Sequence, residues 1–299
     1  MPSLQTVFDT CRPRADVLSG TTRDEQFVAD LARVVNGTAP AEYADAPTFF
    51  RHSYATRGMK DLLKAVCSRL TGHGGEIGSI IRLHTQYGGG KTHGLIALVH
   101  AARGMKGVPN PGDFVSPDLI PTVPVRVAAL DGENSDPANG LTLEGNLRAY
   151  SIWGELAYRL AGAGGYERVR ESDRQHVAPG AETIRELFGG QPALILLDEI
   201  SVYLRKVEQT RPGSSNQFAA FVHALFKAVA SSPNVALVYT IALGRDNVGQ
   251  DAYKEENERA AQAMADLWSS AEGREGLAAY LEKRPPSWAP REGDAGSER

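Results

Sequence analysis

The segment Ser79-Ile-Ile-Arg-Leu-His-Thr-Gln-Tyr-Gly-Gly-Gly-Lys-Thr-His-Gly94 decides the fold. Ser79 to His84 is a short β-type run, Tyr87 to Thr92 is rich in glycine, and the apolar stretch from Gly94 to Ala102 has helical character. A strand, a glycine loop and a helix in that order suit phosphate binding. Backbone N–H groups can close around oxygens only where no Cβ intervenes, and the following helix adds its N-terminal dipole. Gly88, Gly89 and Gly90 meet the first need. Lys91 then reaches the β- and γ-phosphates, and the Thr92 hydroxyl binds Mg²⁺. The spacing is that of G-x-x-x-x-G-K-[ST] from Thr85 to Thr92, with Thr85 standing at the first glycine position. A flexible glycine turn before a helix is the competing reading of the loop taken alone.

Further along, Val123 to Leu130 forms an apolar strand ending in Asp131-Gly-Glu-Asn134, with Pro124 near its start. Ala193 to Leu197 leads into Asp198-Glu199, and Val235 to Leu243 is another apolar run. Helical patterns at Ile152 to Leu160 and Phe218 to Val229 separate these strands. Continuous apolar strands alternating with helices predict an α/β fold, a doubly wound parallel sheet covered on both faces. Asp198, at a strand end, is suited to hold Mg²⁺ through its water shell, and Glu199 to orient or deprotonate an attacking water. Two such motifs at the C-terminal ends of strands, where ligands of these sheets bind, favour a P-loop NTPase with ATP and Mg²⁺ as cofactors.

Upstream, Val17, Leu18, Phe27, Leu31 and Val34 predict helix between Val17 and Val35, stopped by Gly37. Leu62, Leu63, Val66 and Leu70 share one face of a second helix that ends before Gly72. The chain thus divides into a helical N-terminal segment (1–75), the P-loop core (76–250), a charged helical segment (251–283) and a polar tail expected to be disordered (284–299). No internal repeat is visible.

At 299 residues, with 42% hydrophobic and 23% charged residues, the composition is that of a globular protein with a sizeable core. A net charge of -4 gives no sign of direct nucleic-acid binding, which needs clustered Lys and Arg. Cys11 and Cys67, the two cysteines, make neither a disulfide framework nor a metal motif, and point to a reducing compartment. Without a signal-like apolar N-terminus or a run long enough to span a membrane, a cytoplasmic location with no membrane association is expected.

Other polar residues have plainer readings. Asp131 and Glu133 lie on the same rim as Asp198, where a strand-to-loop turn accounts for them as well as function does. His84 and His93 flank the glycine loop without ligand spacing and read as local structural residues. Arg205 and Lys206 read as a solvated face, with contact to a partner or DNA as the alternative.

The Asp198-Glu199 pair resembles the division of P-loop proteins that carries a catalytic Glu beside its Mg²⁺ Asp, including the AAA+ ATPases. That resemblance implies that Thr240, on the next strand, is the polar sensor of the γ-phosphate. More narrowly, HTQYGGGKTHGLIALVHAARG, ALDGENSDPANG, APGAETIRELFGG, ALILLDEISVYLRK and ALVYTIALG resemble the start of a large bacterial AAA-like ATPase family of unknown function. The family is found beside DNA methylases and helicases in phage-defence gene clusters and is related to the BREX ATPases. The resemblance runs from Met1 to about Tyr253 and implies protein partners in a DNA-modification or defence complex. Family members continue into a further strand, a helical lid and other domains. Here Met264 to Trp288 is instead similar to the last helices of enoyl-CoA hydratases, without any counterpart of the hydratase chemistry upstream. A fused or shortened chain lacking the lid is therefore expected, with an ATPase as the first functional reading. A nucleotide-holding module without turnover, or an inactive remnant, is the alternative.

Four apolar runs carry the expected sheet, at Ile80, Val125, Leu194 and Leu237. The related ATPases have another strand beside the phosphate-loop strand. That flank is expected to be covered by helices, or else to drive formation of a homo-oligomer.

Overall fold

The computed structural model describes residue 11 and residues 15–20, 29–73, 78–83 and 90–240. Upstream of the sheet lie the helices α1 (Ala15–Leu18), α2 (Leu31–Val35), α3 (Ala41–Ala44), α4 (Ala46–Arg51) and α5 (Arg57–Leu70). The helix expected between Val17 and Val35 is not continuous. Gly20, at φ 66°, closes a turn onto Val17, and Asp30 starts α2 afresh by accepting a hydrogen bond from Arg33 N–H. Gly37, at φ 72°, follows α2 as expected. Helix α5 begins under the Thr56 hydroxyl cap and buries Leu63, Val66 and Leu70, so its sequence pattern and its packing agree.

The strands are β1 (Ile80–Leu83), β2 (Arg126–Asp131), β5 (Ala193–Asp198) and β6 (Val235–Thr240), all parallel, in the order β1-β6-β5-β2. Between β1 and β2 runs α6 (Lys91–Ala102). A short antiparallel hairpin, β3 (Leu141–Thr142) with β4 (Arg148–Ala149), follows β2. Next come α7 (Ile152–Gln175) and α8 (Ala181–Phe188), and α9 (Ile200–Thr210) and α10 (Ser214–Ala230) lie between β5 and β6. Pro124 sits just before β2, where its missing N–H removes nothing from the ladder.

Alternation along the strands explains the two-sided cover. Ala128, Leu130, Ile195, Leu197, Leu237 and Tyr239 pack in one core with α7, α8, α9 and α10. Ala129, Leu194, Leu196, Ala236 and Val238 point the other way into a core built with α2, α4, α5 and α6. Strands β5 and β6 are buried at every residue, which is why they read as unbroken apolar runs. Among the described residues β1 is an edge strand, as the count of apolar runs implied. Helices α2, α4 and α5 pack on the sheet: Leu31, Phe49, Phe50 and Leu63 belong to the same core as Leu95 and Leu194.

Helix α7 is longer than the Ile152 to Leu160 pattern suggested. It breaks at Ala161 and Gly162, the latter at φ 64° and ψ -155°, then continues to Gln175. Asp173, fully buried on the second half, accepts from Tyr150 N–H, Ser151 N–H, the Ser151 hydroxyl and, at 2.9 Å, the Tyr166 hydroxyl. The carboxylate thereby pins the start of the helix to its end, and the position of Gly154 leaves no room for a Cβ beside it. Residues 241–299 lie outside the description. With them lie the last three residues of the Val235 to Leu243 run, the helical segment 251–283, the tail and the stretch expected to be hydratase-like.

Candidate functional site

Parallel register brings the chemistry to one rim. Leu83 is level with Thr240, and Asp131 with Asp198, so four strand ends finish together beside the start of α6. Gly90, at φ 74°, takes the left-handed conformation that turns the chain into α6, and its carbonyl accepts the first helical bond from Gly94 N–H at 2.9 Å. Lys91 and Thr92 therefore occupy the first turn of the helix. Thr85, Gly88 and Gly89, together with His84, fall outside the described residues.

Thr92 Oγ1 donates to Asp198 Oδ2 at 3.0 Å. Thr240 Oγ1, wholly buried, donates to the other carboxylate oxygen, Asp198 Oδ1, at 2.5 Å. The same Thr240 oxygen accepts the Glu199 N–H at 2.9 Å. One chain of contacts thus joins the head of α6, the end of β5, the end of β6 and the head of α9. Asp198 is 4% exposed, so its two oxygens depend on these hydroxyls for partners. Glu199 itself sits at φ 46° and ψ 42°, left-handed for a residue with a side chain. Burial raises its carboxyl above the usual glutamate range, Asp198, Glu133 and Asp131 raise it further, and Lys91 opposes them.

Asp131 has a different setting. Its oxygens accept from Glu133 N–H at 2.8 Å and from the Asn134 amide at 2.6 Å, closing a turn on itself. Burial raises its carboxyl, these bonds oppose the rise, and Asp198 adds to it. Beside it opens a cavity of about 200 Å³, lined among others by Asn36, Tyr150, Glu155 and Arg159. Glu155 and Arg159 pair at 2.6 Å on successive turns of α7.

Lys206, half-buried, does more than face solvent. Its ammonium donates to the Glu133 carbonyl and, at 3.1 Å, to the Ser135 carbonyl, strapping the loop after β2 onto α9. Arg211 adds a bond to the Pro137 carbonyl at 2.7 Å. His93 lies against the Phe49 ring at 4.4 Å between centroids and pairs with the Ser53 hydroxyl at 2.8 Å, which makes it a packing residue of α6. Gly132 does not stand out in the sequence, and Lys206 reads there as a surface cation and not as a strap on the loop after β2. For Gly132 the one available cue was a glycine directly after an apolar strand that ends in a carboxylate.

The donor set fits Mg²⁺. Mg²⁺ keeps most of its water and takes one or two protein oxygens with substrate phosphates, and a hydroxyl beside a carboxylate offers that. Among the described residues no group of three or more His, Cys, Asp or Glu is arranged to hold a metal on its own. No helix of those residues is long and apolar enough to cross a membrane.

The chain belongs to the family described as the DUF499 N-terminal domain, which it matches over residues 7–276. The match therefore includes the glycine-rich segment and the strands ending in Asp198 and Thr240, and it runs on past Tyr253, where the resemblance was expected to end. No curated protein and no solved structure matches the chain.

Proposed function

We propose that the chain is a Mg²⁺-dependent P-loop ATPase domain of AAA-like type, serving a DNA-processing or defence assembly as the resemblance implies. The observation that carries the reading is the link from Thr92 to Asp198 at 3.0 Å, between two residues 106 positions apart in the chain. It joins a helix start preceded by three glycines to the acidic end of a buried strand, and a local glycine turn would have no reason to meet that carboxylate. The strand order β1-β6-β5-β2, with the loop strand beside the strand of Thr240, supports the same reading.

By the sequence pattern Gly88, Gly89 and Gly90 would bind the phosphates through their N–H groups, and Lys91 would set its charge against the β- and γ-phosphates. Thr92 and Asp198 would hold Mg²⁺, which supplies charge neutralisation across the phosphate oxygens. Glu199, raised by burial and by three carboxylate neighbours, takes a proton from water as the water oxygen bonds to the γ-phosphorus and the bond to ADP breaks. Thr240 holds the Glu199 peptide and the Asp198 carboxylate in one arrangement. Phosphate release with ATP, measured with Mg²⁺ and again with a chelator, tests the reading. Release that depends on Mg²⁺ supports an ATPase, and nucleotide binding without release leaves a module that holds nucleotide.

A further inference from the structure

Glu199 holds a backbone conformation that its own Cβ disfavours, so something outside the residue must keep it there. One side is held by Thr240, which accepts the Glu199 N–H at 2.9 Å. The other side is closed by Gly132. Gly132 N–H donates to the Asp198 carbonyl at 2.9 Å. A Cβ on Gly132 would fall 2.2 Å from the Glu199 carbonyl oxygen, 2.9 Å from its carbon and 3.1 Å from Tyr203 N, all of them backbone atoms. Gly132 is not among the glycines at positive φ, so the backbone angle does not call for glycine. The space does. The loop cannot retreat to make room, because Lys206 and Arg211 tie its Glu133, Ser135 and Pro137 carbonyls to α9, the helix that Glu199 begins.

We propose that Gly132 is a positioning residue for Glu199: its bare Cα lets the end of β2 press on the Glu199 peptide and set where the carboxylate stands. The catalytic consequence rests on the ATPase reading above, while the mechanical one does not.

Gly132→Ala tests both. In the ATPase assay it lowers kcat by about tenfold or more while the ATP KM stays within about twofold, since the phosphate loop is untouched. In a Glu199→Gln background the same substitution costs less than about twofold, because the group it misplaces is already gone. An unchanged kcat, or the same tenfold loss in both backgrounds, overturns the catalytic role. In the nucleotide-free protein, amide exchange reads the position directly. Glu199 N–H exchanges at least about tenfold faster in Gly132→Ala while the amide of Leu196 in β5 keeps its protection. Equal Glu199 protection in the two proteins overturns the proposal even if the chain hydrolyses no ATP. If Gly132→Ala does not fold, Lys206→Ala frees the loop without adding an atom. It must speed the same amide for the proposal to stand.

Discussion

Asp131 and Asp198 are partners in register on adjacent parallel strands, and each ends an apolar run. Their surroundings separate them. Asp131 takes its partners from the next three residues and shapes a turn. Asp198 takes its partners from 106 residues before it and 42 residues after it. A carboxylate that bonds locally can be replaced with only its loop disturbed. One that joins three elements couples them, so a change at the loop helix reaches β6 and, through Thr240, the Glu199 peptide. Position on a strand end therefore nominates a site, and the distance in sequence to its partners decides which nominee carries it.

The largest contrast is expected in turnover. Glu199→Gln lowers ATP hydrolysis by roughly 10²–10⁴-fold with binding retained, the usual contribution of a positioned base. Asp198→Asn removes Mg²⁺-dependent turnover, whereas Asp131→Asn stays within a factor of about 2, as for a partly exposed turn residue. Phosphate release under saturating Mg²⁺ and ATP measures all three. If Asp131→Asn and Asp198→Asn lose equal activity, the comparison fails.

Stability should divide the same way on a smaller scale. Thr240→Val leaves the Glu199 N–H and one Asp198 oxygen without their partner in a buried place, a cost of about 1–3 kcal/mol. Asn134→Ala removes an exposed turn bond and costs about 0.5 kcal/mol or less. Denaturant midpoints compare the two, and equal shifts would show that the Thr240 bridge contributes no more than a surface turn.

The smallest effect concerns pH. Burial lowers the pKa of His93 and His100 below the ordinary histidine value. The unfolded chain then takes up protons first as pH falls through about 6.5, so this part of the stability is present above that pH and is lost through the folded values below it. Glu199, Asp131 and Glu155 are raised and act in the opposite sense, since their folded forms hold protons to higher pH than the unfolded chain does. Replacing His100 by Gln should flatten the loss of stability between pH 7 and 5.5. An unchanged slope would show that His100 does not contribute to it.

The rim was legible in the sequence where chemistry and pattern coincide. An apolar run ending in Asp198-Glu199 and a glycine run ending in Lys91-Thr92 each state what their residues suit, and buried parallel strands are legible because both faces demand apolar side chains. Partners across the fold were not legible. Nothing near Thr240 announces that its hydroxyl serves Asp198 and Glu199 together, and Lys206 looks like any helix-surface cation until its ammonium meets two carbonyls of another loop. The second half of α7 lies beyond glycines at 162, 164 and 165, residues that disfavour a helix interior. There a break at Gly162 and the Asp173 network let the chain resume. The loop residues Thr85, Gly88 and Gly89 rest on the sequence pattern.

Calorimetric titration of the protein with ATP and Mg²⁺, beside Lys91→Ala, tests the central claim most directly. The account predicts saturable, Mg²⁺-dependent binding by the native chain and its loss in Lys91→Ala, with both proteins melting at similar temperature. No binding by the native chain, or equal affinity in the two proteins, would contradict it.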